Sequence, residues 1–281
     1  MVTVNHLSQD KEILVRSIDD MKKKILNTVL LLAGILILLT FGGFGQAAAK
    51  NAVNHSGSED VCDAKNMSIK ELKNEGFYYT KLSDEIKDII TGVSYHKNKY
   101  ISYRDLRYVT VKYVNYKGKE KEGNLIVNKA IAKDTVRIFY ELYKMKYPVR
   151  RMELIDEYDA DDNKSMEADN TTCFNYRVIA GSAKNLSMHG LGLAIDINPK
   201  VNPCVGGAHG LLPVNGRKYA NRNVKTCKGM YKNIMIHKND KVYKIFKKYG
   251  FSWGGDWKSM KDYQHFYKIP AAYAKTVRYE W

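Results

Sequence analysis

Two histidines and two aspartates carry the chemistry that this sequence can do. His189 and Asp196 lie seven residues apart in Ser187-Met188-His189-Gly190-Leu191-Gly192-Leu193-Ala194-Ile195-Asp196. The two glycines allow the chain to fold back, and the alternation of Ile195, Asp196, Ile197 and Asn198 up to Pro199 predicts a strand. An imidazole and a carboxylate meeting there supply two of the three protein ligands of a zinc site that keeps a fourth position for water. Six other histidines compete for the third place: His6, His55, His96, His209, His237 and His265. His265 stands out, because Asp262 precedes it by three residues at the start of an aromatic strand. An acid so placed lies beside a metal without ligating it and can take a proton from an attacking water.

The pattern Ser187-x-His189-x-x-Gly192-x-Ala194-x-Asp196, followed by Asp262-x-x-His265-Phe266, resembles the D-alanyl-D-alanine carboxypeptidase family of zinc peptidases. That group includes L-alanoyl-D-glutamate endopeptidases and has hedgehog-like structural cousins, and Trp253-Gly254-Gly255-Asp256-Trp257 is similar to its endopeptidase branch. The likeness runs from about residue 70 to the C-terminus. It implies Zn2+ on His189, Asp196 and His265, with Asp262 as general base toward a zinc-activated water. It implies an arginine near the scissile carbonyl; Arg177 is the candidate, with Arg150 and Arg151 as competitors. Ser187 would brace the site, and Trp253 and Trp257 would shape the substrate cleft. Arg177 fits a plain ion pair equally well, and the tryptophans fit a core as well as a cleft. The implied function is hydrolysis of peptidoglycan stem peptides, as endopeptidase or D,D-carboxypeptidase. The alternative is a zinc-stabilised wall-binding module without catalysis.

The elements that must position these residues read as α+β, a small antiparallel sheet with flanking helices of the hedgehog/DD-peptidase kind. Helical spacing marks 82–90, 130–143 and 240–249, the last ending at Gly250. Strands are expected at 106–116 and 124–128 across a polar turn at 117–123, and at 151–155, 174–180 and 262–267. The acidic stretch 156–170 lacks a helix-flanked calcium-loop pattern and reads as solvated loop.

Upstream, Lys22-Lys23-Lys24 precede an apolar run from Ile25 to Phe44, long enough to span a bilayer. The expected organisation is a cytosolic segment 1–24, a transmembrane anchor or signal helix 25–45, a flexible tether 46–67 and a zinc peptidase domain 68–281. The body is then extracytoplasmic, either membrane-attached through the N-terminal helix or secreted to the wall. Net charge is +16, and the first 49 residues hold only +1 of it, so the basic character belongs to the body. That favours anionic cell-wall polymers as partners. No aromatic-interleaved basic motif of a nucleic-acid module is present, so nucleic acid is not expected, and the chain is expected to act as a monomer. Four cysteines, Cys62, Cys173, Cys204 and Cys227, show no Cys-x-x-Cys spacing. Of the possible disulfides, Cys204–Cys227 would close the loop insert after Pro199.

Overall fold

Ser68 starts the first helix. Its hydroxyl accepts from the Glu71 amide while the Glu71 carboxylate accepts from the Ser68 amide, a capping box over α1 (Ile69–Asn74). The computed structural model describes residues 63–178, 186–207, 210–223 and 229–277, all within one unit spanning Glu59–Trp281. Among them no helix is long and apolar enough to cross a membrane. The apolar run 25–44, His6, His55, His209, Cys62 and Cys227 lie outside the described residues.

After β1 (Tyr78–Thr80) and α2 (Asp84–Ile90, capped by Ser83), the chain forms the hairpin of β2 (Leu106–Val114) and β3 (Glu120–Asn128). The ladder runs from Leu106 opposite Asn128 to Val114 opposite Glu120, and β1 pairs along the other edge of β2. The second strand thus starts earlier than its polarity suggests. Glu120, Lys121 and Glu122 are exposed next to the turn of the hairpin, so they show no apolar face to read. Helix α3 (Ala132–Lys144) packs on β2 and buries Val136, Ile138, Phe139 and Leu142.

Two further corrections concern 151–180. Residues 151–155 make a single bridge, Arg151 with Asn170, and then turn into a 3-10 helix. The acidic stretch folds into α4 (Asp162–Glu167), because Asp161 accepts from the Asn163 and Lys164 amides and caps it. Of the strand expected at 174–180, residues 179–180 lie outside the described residues, and up to Val178 there are only isolated bridges, Thr172 with Asp196 and Val178 with Leu186.

The remaining elements are β4 (Ala194–Asp196), β5 (Cys204–Gly206), β6 (Leu211–Leu212), α5 (Lys241–Lys248), β7 (Ser252–Trp253), β8 (Met260–Asp262) and β9 (His265–Tyr267). The class is α+β, but with three small antiparallel sheets instead of one: β1-β2-β3, β4-β9-β7 and β6-β5-β8. The expected strand 262–267 is split between two of them. The Tyr263 amide donates to the Pro203 carbonyl on the β5 side, and the Trp253 indole donates to the Tyr263 carbonyl. One residue later the Gln264 carbonyl accepts from Ile197 just beyond β4. The chain therefore changes sheets between Asp262 and His265. Beneath β9, Phe246 of α5 stacks on Phe266 with centroids 3.9 Å apart, which anchors the site strand to the core.

Candidate active site

Asp196 closes β4 and His265 opens β9, and the register places them directly opposite each other. Facing residues of an antiparallel pair project to the same side of the sheet. His189 arrives from a one-turn 3-10 helix, His189–Leu191, whose exit at Gly192 has φ +64°. A Cβ there would meet the Asn128 nitrogen at 2.7 Å, and the Asn128 amide donates to the Gly192 carbonyl at 2.8 Å. The glycine thus lets the histidine turn sit against the end of β3. Ser187 supports it from below: its hydroxyl accepts from the His189 amide at 3.2 Å, and its own amide donates to the Arg177 carbonyl.

The three side chains converge. His189 Nε2 lies 3.1 Å from His265 Nδ1 and 3.3 Å from Asp196 Oδ2, and His265 Nδ1 lies 3.0 Å from Asp196 Oδ1. All three residues are at most 8% exposed. On the far side His189 Nδ1 is 2.6 Å from the Cys173 carbonyl, which can only accept. The proton therefore sits on Nδ1, and in the neutral ring the lone pair of Nε2 faces a carboxylate. A cation at the centre, either a second proton or a metal, relieves that opposition, as does a proton on His265 Nδ1. Burial works against the charge on His189, but the carboxylate of Asp196 outweighs it and raises the imidazole pKa. Burial likewise opposes ionisation of Asp196, yet the charge of His189 and hydrogen bonds from both imidazoles hold the carboxyl well below its usual range. Two imidazole nitrogens and one carboxylate, all within 4.8 Å of one another, fit the donor set of a zinc-type ion.

Asp262 closes β8 in the neighbouring sheet. Its Oδ1 is buried without a hydrogen-bond partner. Burial pushes its carboxyl up to about 6, reinforced by the charge of Asp196 and opposed by His265. Gly254 makes this placement possible: a Cβ there would lie 2.6 Å from the Asp262 carbonyl oxygen and 3.2 Å from the His265 Cβ. The glycine of the aromatic motif is thus the point where that turn touches Asp262 and His265 together.

The other expected site residues fall in different places. Trp257 packs beside His265, centroids 5.4 Å apart, and is 7% exposed. Trp253 is buried and packs among Phe266, Tyr243 and Tyr263. The Arg177 guanidinium pairs with Asp162 of α4, and its positive charge still acts on His189. Arg151 pairs with Glu153, and Arg150 lies over the Tyr116 ring. Cys204 is a free thiol, not half of a cystine, and sits directly across the ladder from Asp262. Burial and that carboxylate both raise its pKa.

Two participants escape sequence reading. The Cys173 carbonyl sets the His189 tautomer, but a backbone group leaves no residue-type signal. Asp162 holds Arg177, yet it stood in an acidic stretch that reads as solvated loop.

A buried pair of histidines with an aspartate, and a second carboxyl one sheet away, is the constellation of a hydrolytic site. Residues 180–268, about a third of the chain, match the family model described as D-alanyl-D-alanine carboxypeptidase, so the resemblance carried by the two motifs holds. The match contains Ser187, His189, Asp196, Trp253, Trp257, Asp262 and His265, while Arg177 precedes it. No curated protein and no solved structure matches the chain.

Proposed function

We propose that the chain is an exported zinc peptidase that hydrolyses peptide bonds in peptidoglycan stem peptides, as an L-alanoyl-D-glutamate-type endopeptidase or a D-Ala-D-Ala carboxypeptidase. The observation that carries this reading is the convergence of His189 Nε2, His265 Nδ1 and the Asp196 carboxylate within the segment that the peptidase family matches. These three atoms would hold the ion. When bound, zinc supplies Lewis acidity toward the scissile carbonyl and the attacking water.

The chain's own residues do the rest. Asp262, whose Oδ1 is free of protein partners, accepts the proton of the attacking water and returns it to the leaving amine. Its raised pKa makes it a stronger base than an exposed aspartate. The Cys173 carbonyl and Ser187 hold His189 in one tautomer and orientation. Trp257 screens His265 from bulk water. Arg177 brings positive charge toward developing oxyanion charge, held in place by Asp162. The apolar run 25–44 would carry the body across the membrane, and its basic surface would hold it to the wall.

Digestion of purified muropeptides, with products weighed by mass spectrometry, tests the reading. Loss of one alanine identifies the carboxypeptidase, and a cut beside L-Ala identifies the endopeptidase. If wild type and Asp262→Ala bind walls equally and neither cleaves, the chain is a zinc-stabilised binding module.

A further inference from the structure

A cavity of about 480 Å³, in the size range of small-ligand sites, has Tyr116, Arg150, Asp169, Lys200 and Lys218 in its walls. Asp196 leads to it through Asn198, whose side-chain oxygen accepts from the Arg150 amide, and then to Lys200. Its walls combine tyrosine rings with cations. Tyr116 and Tyr231 meet edge to face at 6.1 Å, and Tyr219 packs on Tyr231 at 5.5 Å. Arg150 lies over Tyr116, and Lys218 over both Tyr219 and Tyr231. Lys200 completes the basic rim. Among the described residues, neither Arg150 nor Lys200 forms an ion pair.

The acids offset only part of this charge. Asp169 lines the cavity, and its carboxylate oxygens are turned to fixed neutral donors: Oδ2 accepts from the Tyr116 hydroxyl at 2.8 Å and Oδ1 from the Lys200 amide at 2.9 Å. Glu167 stands exposed at the margin. The cavity thus presents several cations around a floor of aromatic faces. One carboxylate is satisfied by one guanidinium. Cations spaced around a pocket, on a body that carries nearly all of a +16 net charge, suit a ligand whose negative charge repeats. Ring faces suit the CH surface of a polyol or sugar between those charges.

We propose that this pocket binds a phosphodiester-linked polyol polymer, seating one phosphate among Arg150, Lys200 and Lys218 with the adjoining polyol on the tyrosines. The choice of polymer rests on the wall-peptidase reading, but binding does not require turnover, so the two fail separately.

The test uses the full-length chain and poly(glycerol phosphate), with affinity followed by calorimetry and tyrosine fluorescence. Wild type is expected to bind, more weakly as salt rises. Lys200→Glu with Lys218→Glu should lose about tenfold or more in affinity, while metal content, melting temperature and hydrolysis of soluble muropeptides stay unchanged. Lys200→Gln should lose less, and His189→Ala should bind like wild type. Unchanged affinity in the charge-reversed variant would overturn the proposal. So would equal binding of poly-glutamate, which would mean unselective attraction, or full competition by inorganic phosphate at the same phosphate concentration, which would mean a single-anion site.

Discussion

At the scale of single residues, the cluster separates holding an ion from using it. His189→Ala and His265→Ala should each reduce bound zinc, measured by elemental analysis, from about one per chain to near none, because three ligands are the minimum for a tight site. His237 is remote from the cluster, its amide donating to Asp240 at the head of α5, so His237→Ala should keep the metal. Asp262→Asn should also keep it but lose about 10²–10⁴-fold in kcat. The pH dependence has a definite sign. Burial raises the Asp262 pKa to about 6, so the basic form fills as pH rises, and a cation bound nearby lowers the pKa again. The acid limb of kcat/KM should therefore lie at or below about 6 in wild type and vanish in Asp262→Asn. For stability the same shift acts oppositely. Between the ordinary carboxyl pKa and its raised value the folded state holds a proton that the unfolded state has released, so this group's contribution falls as pH rises through that window. The clustering of His189, Asp196 and His265 was legible because their residue types and spacing are the chemistry. Arg177 was not, since a guanidinium looks the same in sequence whether it serves substrate or Asp162.

At the scale of elements, the site is a junction of two sheets, and what joins them is backbone. Gly254→Ala would push a methyl group into Asp262 and His265, so activity should drop about tenfold or more while the far hairpin β2–β3 is undisturbed; a crystal structure or the kcat of that variant would check it. The helices hold a different kind of surprise. Glu141 lies on the buried face of α3, 2% exposed. Its carboxylate accepts from Lys248 at 2.6 Å, from the Tyr249 hydroxyl at 2.5 Å and from the Ala64 amide at 3.0 Å. Removing the acid leaves the Ala64 amide and the Tyr249 hydroxyl without an acceptor, while Lys248 keeps Asp63, so Glu141→Ala should cost about 1–3 kcal/mol in urea unfolding. Helix periodicity located α3 within two residues but assigned no role to Glu141, because burial of an acid depends on partners more than a hundred residues away. Strand lengths were misread for a related reason. The expected strand 262–267 is continuous in residue type, and only the Trp253 indole and the Pro203 and Ile197 backbones reveal that it changes sheets.

At the scale of the whole molecule, the α+β class was readable from the mixture of helical and alternating segments, whereas the number of sheets was not, since pairing is decided by long-range contacts that two- and three-residue strands do not announce. The basic surface makes a further prediction. Retention of the protein on isolated walls should fall steeply between low and physiological salt, measured by sedimentation, while hydrolysis of short soluble muropeptides should change little.

The cross-ladder placement of Asp196 and His265 also reaches beyond catalysis. An ion gripping both, together with His189, ties chain positions as much as 76 residues apart. By analogy with a covalent cross-link, such a tie constrains the unfolded chain by something on the order of 4 kcal/mol. Chelation should then lower the melting temperature and sharply speed cleavage by an added protease, with His189→Ala already at the chelated rate. For the exported peptidase proposed above, ion supply would set lifespan as well as turnover. A starved molecule would not wait, intact and silent, for metal to return; it would be cleared, and recovery would need fresh synthesis.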